Sequence, residues 1–153
     1  TLRPLLQTGN RLTMDAVIAG SRKGTATYDS IETILKGVEV KLPHGFNVTD
    51  NNGHERQEIR TRWWDQTVTS YRTAYIGPAG ASIPDVPLAE ISRLPEPDKP
   101  TFIGHYWLNP EDPIGPLSRR VACVDYSVAR GGPLVACRFY GELDLSQAEF
   151  VST

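Results

Sequence analysis

Hydrophobic and polar positions change their period along this chain. Ile31, Ile34, Leu35 and Val38 recur at i, i+3, i+4 and i+7, which is the stripe of an amphipathic helix. Asp29 lies ahead of that stripe with Glu32 three residues on, a capping-box spacing, and Gly37 supplies a stop signal. Leu2, Leu5 and Leu6 are spaced for one face of a short helix closed by Gly9 and Asn10. Residues 14–19 predict a weak helix ending at Gly20, and the polar "SRKGTAT" after it predicts a loop.

From Pro43 the pattern turns extended. Phe46 and Val48 alternate with polar neighbours, "DNNG" is a turn signal, and "HERQEIRTRWW" continues as a second arm, so residues 42–64 predict a β-hairpin. Residues 78–116 then carry nine of the 12 prolines, which rules out long regular elements there except a short strand in "TFIGHYWL". The last third reads as β. "VACVDYSVARGGPLVACRFYGE" predicts a hairpin whose near-continuous apolar runs suit strands buried on both faces. The tail "LDLSQAEFV" suits a helical turn or an edge strand.

At 153 residues the chain is within the range of one domain, and such a domain can bury roughly two-thirds of its unfolded surface. A net charge of −2 provides no broad basic field, so neither nucleic acid nor a membrane surface is an expected partner. No apolar run approaches the roughly 20 residues of a membrane helix, and nothing resembles a signal peptide. The chain opens on Thr1 and its one methionine is Met14, so the numbering is expected to begin inside a longer gene product. Two cysteines, Cys123 and Cys137, are too few for a secreted disulfide framework and fit a reducing, cytoplasmic setting, although the predicted hairpin leaves a bond between them conceivable.

Three groups of residues could carry chemistry. His105 follows a strand and a glycine, Gly104, which would put an imidazole at the carboxyl end of a sheet, where α/β proteins keep their sites. A neutral imidazole suits borderline divalent metals, and the plain alternative is a hydrogen-bonded structural histidine. The arm "RQEIRTRWW" would project Arg56, Arg60 and Arg62 to one face with Trp64 beyond. Guanidinium forks suit phosphate oxygens and a tryptophan can stack on a base; a solvated strand face is the alternative. Asp125, inside an apolar strand, needs partners if buried and would either orient a group near the site or be satisfied structurally. Gly131 and Gly132 shape a turn, and His44 and His54 are expected to be exposed. A triad of Ser127, His105 and Asp125 lacks a nucleophile-elbow context.

"GHYW" followed by "VACVDYSVARGGPLVACRFYGE", and upstream "ILKGVEVKLPHGFNVTDNNGHERQEIRTRWW", resembles the C-terminal end of bacterial calcineurin-like metallophosphoesterases. The group in question is that of diadenosine tetraphosphatases and related serine/threonine protein phosphatases. The resemblance spans nearly the whole chain. It implies an α+β fold: the C-terminal half of a four-layer α/β/β/α sandwich with a β-hairpin insert. It further implies two divalent ions, manganese or iron, that activate a hydroxide for in-line attack on phosphorus. In this frame residues 1–153 form part of one catalytic domain, with a helical segment at 1–41 and the hairpin insert at 42–76. A proline-rich connection carrying the GHYW strand occupies 77–120, and closing strands occupy 121–153.

His105 matches the family's strand-end Gly-His metal motif. Many relatives continue as Gly-His-x-His, but Trp107 stands at the second position and cannot ligate. The Asp-x-His, Gly-Asp-x-x-Asp-Arg and Gly-Asn-His motifs that complete such centres are absent from residues 1–153. The resemblance therefore implies a chain with one metal ligand, inactive alone and completed by a missing N-terminal half. Arg56, Arg60, Arg62, Trp64 and Tyr106 would meet the substrate, with Gly104 and Asp125 behind the ligand. The substrate would be a phosphorylated small molecule, a dinucleoside polyphosphate or a phosphoprotein. The rival reading is a non-catalytic binding module that uses the Arg/Trp hairpin face.

Overall fold

The computed structural model describes residues 6–7, 11–50, 52–88 and 96–153. The chain is α+β and divides into two compact units, Thr1–Gly37 and Val38–Thr153.

In the first unit, β1 (Leu6–Gln7) pairs antiparallel with β2 (Arg11–Leu12). Leu6 is thus in a strand, not in the short helix its spacing predicts; Leu2, Leu5, Gly9 and Asn10 lie outside the described residues. Three apolar residues cannot distinguish the two periods. Helix α1 (Met14–Gly20) matches its expectation and is capped by Thr13, whose Oγ1 accepts from Ala16 N at 3.0 Å.

Helix α2 (Ala26–Lys36) starts earlier than the capping box at Asp29 predicts. Its cap is Thr25, whose Oγ1 accepts from Tyr28 N, and Asp29 sits in the first turn, where a carboxylate complements the helix dipole. Gly37 ends the helix at φ 88°, a backbone shape that favours glycine. The predicted stripe is not a buried one, since Ile34 and Leu35 are 68% and 64% exposed. Ile31 packs over Gly20, where a Cβ would lie 2.3 Å from its Cδ1, and Val38, past the helix end, is buried in the core of the second unit.

The second unit opens with β3 (Glu39–Lys41), β6 (Glu58–Thr61) and β7 (Tyr75–Ile76), an antiparallel sheet with β6 in the centre. Between β3 and β6 rises the expected hairpin, β4 (Val48–Thr49) on β5 (Glu55–Arg56). Asp50 organises its tip. Its Oδ1 accepts from Asn52 N at 2.8 Å and His54 N at 3.0 Å, and its Oδ2 from Arg56 Nε at 2.9 Å. Leu42, Val48, Ile59 and Ile83 form the core beneath. A single-turn helix, α3 (Tyr71–Ala74), is held by a reciprocal capping box between Ser70 and Thr73 and buries Ala74 with Val68 and Leu88.

Among its described residues the proline-rich connection contains one strand, β8 (Thr101–Ile103), as expected. It runs parallel to β9 (Val121–Cys123), all three of whose residues are fully buried. Residues 121–142 do not form a hairpin. β10 (Val135–Arg138) pairs instead with β11 (Glu149–Ser152), and a single bridge, Asp125 to Leu134, links the two apolar runs. Ser127 and Gly131 both take left-handed φ around the 3-10 turn Val128–Arg130, which carries the chain out of β9's sheet. β10 alternates, with Val135 buried and Ala136 and Arg138 exposed, whereas burial on both faces holds for β9. The main core gathers Val38, Trp63, Trp64, Tyr106, Leu108, Val121, Cys123, Tyr126 and Val135. Cys123 and Cys137 are free thiols.

Candidate functional site

The parallel pair β8/β9 ends in two loops that meet at its carboxyl edge. Hydrogen bonds from Thr101 N to Arg120 O at 2.7 Å and from Val124 N to Ile103 O at 3.2 Å fix the strands in register up to that edge. Beyond β8 the chain reads Gly104, His105, Tyr106, Trp107, Leu108, and its side chains divide between solvent and core. His105 is exposed and Trp107 is 37% exposed, whereas Tyr106 and Leu108 are buried. His105 and Trp107 both adopt left-handed backbone, at φ 66° and 51°. For bulky non-glycine residues this costs on the order of 1–3 kcal/mol each and persists only where surrounding contacts impose it.

Those contacts come from three directions. Tyr106 anchors the bend inward: its hydroxyl accepts from Trp63 Nε1 at 2.8 Å and its ring meets Trp64 edge-on at 5.1 Å. From the β9 side, the Asp125 carboxylate accepts from Trp107 N at 3.4 Å and Ser127 N at 3.2 Å, while its carbonyl accepts from Leu108 N at 3.0 Å. Ser127 Oγ donates to Leu108 O at 3.0 Å, so it is spent on the backbone and not aimed at His105. From β6, Arg60 Nη1 donates to the His105 carbonyl at 2.5 Å, and its guanidinium lies 5.5 Å from the Tyr106 ring centroid.

The arginine arm does not form one continuous face. It breaks at Gln57 into β5, which belongs to the hairpin, and β6, which belongs to the three-stranded sheet. Arg56 bonds Asp50 at the hairpin tip, Arg60 reaches the His105 bend, and Arg62 is exposed beyond β6. Trp63 and Trp64 are each 8% exposed and belong to the core. Along β6, Ile59 and Thr61 face inward and Glu58 and Arg60 outward, so the alternation that lines up the arginines also points Trp63 inside. His44 and His54 are exposed, as expected.

Gly104 is not demanded by crowding, because a Cβ there would meet only Asp125 Cβ at 3.8 Å. Tyr106 is pushed up to about 12, first by burial, with the Trp63 hydrogen bond opposing. Burial likewise raises the Cys123 thiol to about 11.

Arg130 was legible only as part of a turn. Its guanidinium lies 4.3 Å from the Trp107 ring centroid, within cation–π range, and its Nη2 donates to Asn52 Oδ1 at 3.1 Å. The hairpin tip is thereby tied to the strand-end loops across 78 residues of chain. Among the described residues no group of three or more His, Cys, Asp or Glu could hold a metal ion; His105 stands at the edge as a single imidazole with Asp125 behind it. Comparison with protein-family models, with curated proteins and with solved structures yields no match.

Proposed function

We propose that this chain is part of a metal-dependent phosphoesterase hydrolysing phosphate esters or anhydrides, with His105 a ligand to one of two divalent ions. The finer architecture, the C-terminal half of a four-layer α/β/β/α sandwich, belongs to the same proposal, as does a cytoplasmic setting. One observation supports it above the others: His105 is exposed two residues past the carboxyl end of β8, in a parallel pair. Open α/β sheets keep their ligand crevices at such an edge, and Gly104-His105 is the motif on which the resemblance rests.

Among the described residues this edge offers one imidazole, so the proposal takes the remaining ligands from the N-terminal half of the domain that the resemblance implies, and the chain alone is expected to be inactive. Manganese or iron would supply charge neutralisation at phosphorus and an activated water. The chain's own residues do the holding. The bend presents the His105 ring outward, Asp125 joins the two strand-end loops behind it, and the Asn52–Arg130 bond keeps the hairpin tip at the same edge. A phosphorylated small molecule, a dinucleoside polyphosphate or a phosphoprotein would enter beneath that hairpin. The burial of Trp63 and Trp64 weighs against the rival binding module, since it withdraws the aromatic half of the proposed face.

The test is hydrolysis of p-nitrophenyl phosphate, with added manganese, by the protein as its gene encodes it. His105→Ala is expected to remove most of the activity. Full activity in that variant overturns the assignment.

A further inference from the structure

Arg60 differs from its neighbours in what it reaches. It projects from β6, the central strand of its sheet, where Arg60 pairs with Glu39 on one side and Ile76 on the other. A side chain rooted there has a fixed base. Its guanidinium crosses to a loop 45 residues away and donates to the carbonyl of His105. The same group rests over the Tyr106 ring, and its Nη2 lies 3.5 Å from Glu39 Oε1. Its side chain is only 22% exposed. The residue whose carbonyl it grips is one of three non-glycine residues with left-handed φ among the described residues.

We propose that Arg60 is a positioning residue: by gripping the His105 carbonyl from a rigid strand it holds the 104–108 bend left-handed, so that the imidazole faces outward while Tyr106 is buried. An extended residue at 105 would exchange the inward and outward directions of the two side chains. Strain at His105 and Trp107 requires compensation from outside the loop, and Arg60 supplies it from β6 as Asp125 does from the β9 side. Lysine is a poor substitute, because a point donor cannot both cover the Tyr106 ring and fix the carbonyl direction. The effect on catalysis rests on the phosphoesterase reading; the effect on the backbone does not.

The two are separated by measuring both. In a left-handed residue the amide and α protons of the same residue come closest. The intraresidue amide–α Overhauser signal of His105 in the full chain is therefore expected to be strong. It should fall in Arg60→Met and to a smaller extent in Arg60→Lys, with the Ile59 and Thr61 amide shifts showing that β6 is intact. A folded Arg60→Met chain with an unchanged signal overturns the brace.

If Arg60→Met does not fold, Arg60→Lys and the wild-type guanidinium decide. A gripped guanidinium shows separately resolved Nη signals through hindered rotation, and a single averaged signal overturns the proposal. In the gene-encoded protein, Arg60→Met is expected to lower kcat on p-nitrophenyl phosphate roughly 10-fold or more, as a misplaced group does, with KM little changed. A wild type without phosphatase activity but with the expected backbone change would end the enzymatic reading and leave the brace standing.

Discussion

The indole N–H of Trp63 and the hydroxyl of Tyr106 meet at 2.8 Å inside the main core. The bond joins the turn just past the strand that carries Arg60 to the loop that carries His105, between two residues that are 8% and 5% exposed. Trp64 completes the arrangement with edge-on contacts to both rings, at 5.5 and 5.1 Å. Tyr106→Phe keeps the ring and removes the acceptor, leaving a buried donor unsatisfied, which costs about 1–3 kcal/mol. Trp63→Phe should cost more through lost volume, and the double variant less than the sum. Urea denaturation of the three variants measures the coupling; strict additivity would mean that the bond contributes nothing.

Alkaline pH should loosen the same core. Burial raises Cys123 from an ordinary value of 9.0 to about 11 and Tyr106 from 10.0 to about 12. Above its ordinary pKa the unfolded chain gives up a proton that the folded chain keeps. Stability therefore falls with rising pH, from about pH 9 to 11 for the thiol and from 10 to 12 for the phenol. Cys123→Ala should reduce the earlier part of the decline, to which the Cys137 thiol, also raised by burial, adds, and retain the later one. Thermal melts across that range provide the check, and an unchanged early decline would locate it in another group.

The local features of this fold were open to reading and the long-range ones were not. "DNNG" specifies its hairpin because Asp50 and Gly53 build the turn from within four residues. Strand β8 was visible because β-prone residues interrupt a run of prolines. The cap of α2 moved to Thr25 because threonine and aspartate compete for the same role, and spacing to Glu32 was the weaker signal. The parallel pairing of β8 with β9 links segments 20 residues apart in register, and no period reports a partner. The lost hairpin has the same origin: two apolar runs around Gly-Gly look adjacent, but Ser127 turns left-handed before the glycines and sends the second run to β11. At the site, position 105 was legible as a residue past a strand end. Its hold on Arg60, and Arg130's on Trp107, are tertiary contacts with no local signature.

Acid should act first on the hairpin tip. Two backbone N–H groups, from His54 foremost and Asn52, together with Arg56, hold the Asp50 carboxyl down at about 2 against an ordinary 3.8. A depressed folded pKa contributes stability above the unfolded value, and that contribution is lost as pH falls through the folded one. The tip should open between about pH 3.8 and 2. Asp50→Asn should remove the pH dependence while keeping an acceptor for the amides. Amide exchange at His54 and Asn52 reads both effects; exchange rates insensitive to Asp50→Asn would show that the turn is held by backbone alone.

Two glycines near the site make opposite predictions under the same substitution. A Cβ on Gly132 would lie 1.9 Å from the Tyr126 carbonyl oxygen and 3.1 Å from Ser127 C. Both are backbone atoms, so the loop between β9 and β10 would have to move. Gly132→Ala is expected to cost about 3 kcal/mol, the upper part of the usual overpacking range, and to release the Asp125–Leu134 bridge. A Cβ on Gly104 would meet only Asp125 Cβ, at an ordinary 3.8 Å, and its φ lies outside the left-handed range. Gly104→Ala should therefore stay within about 0.5 kcal/mol of the parent. Denaturation midpoints for the pair test the contrast. If Gly104→Ala leaves stability intact but removes activity from the gene-encoded protein, the crowding at Gly104 comes from what binds at the edge, substrate or completing segment. On the phosphoesterase proposal, that outcome would place the bound group beside His105.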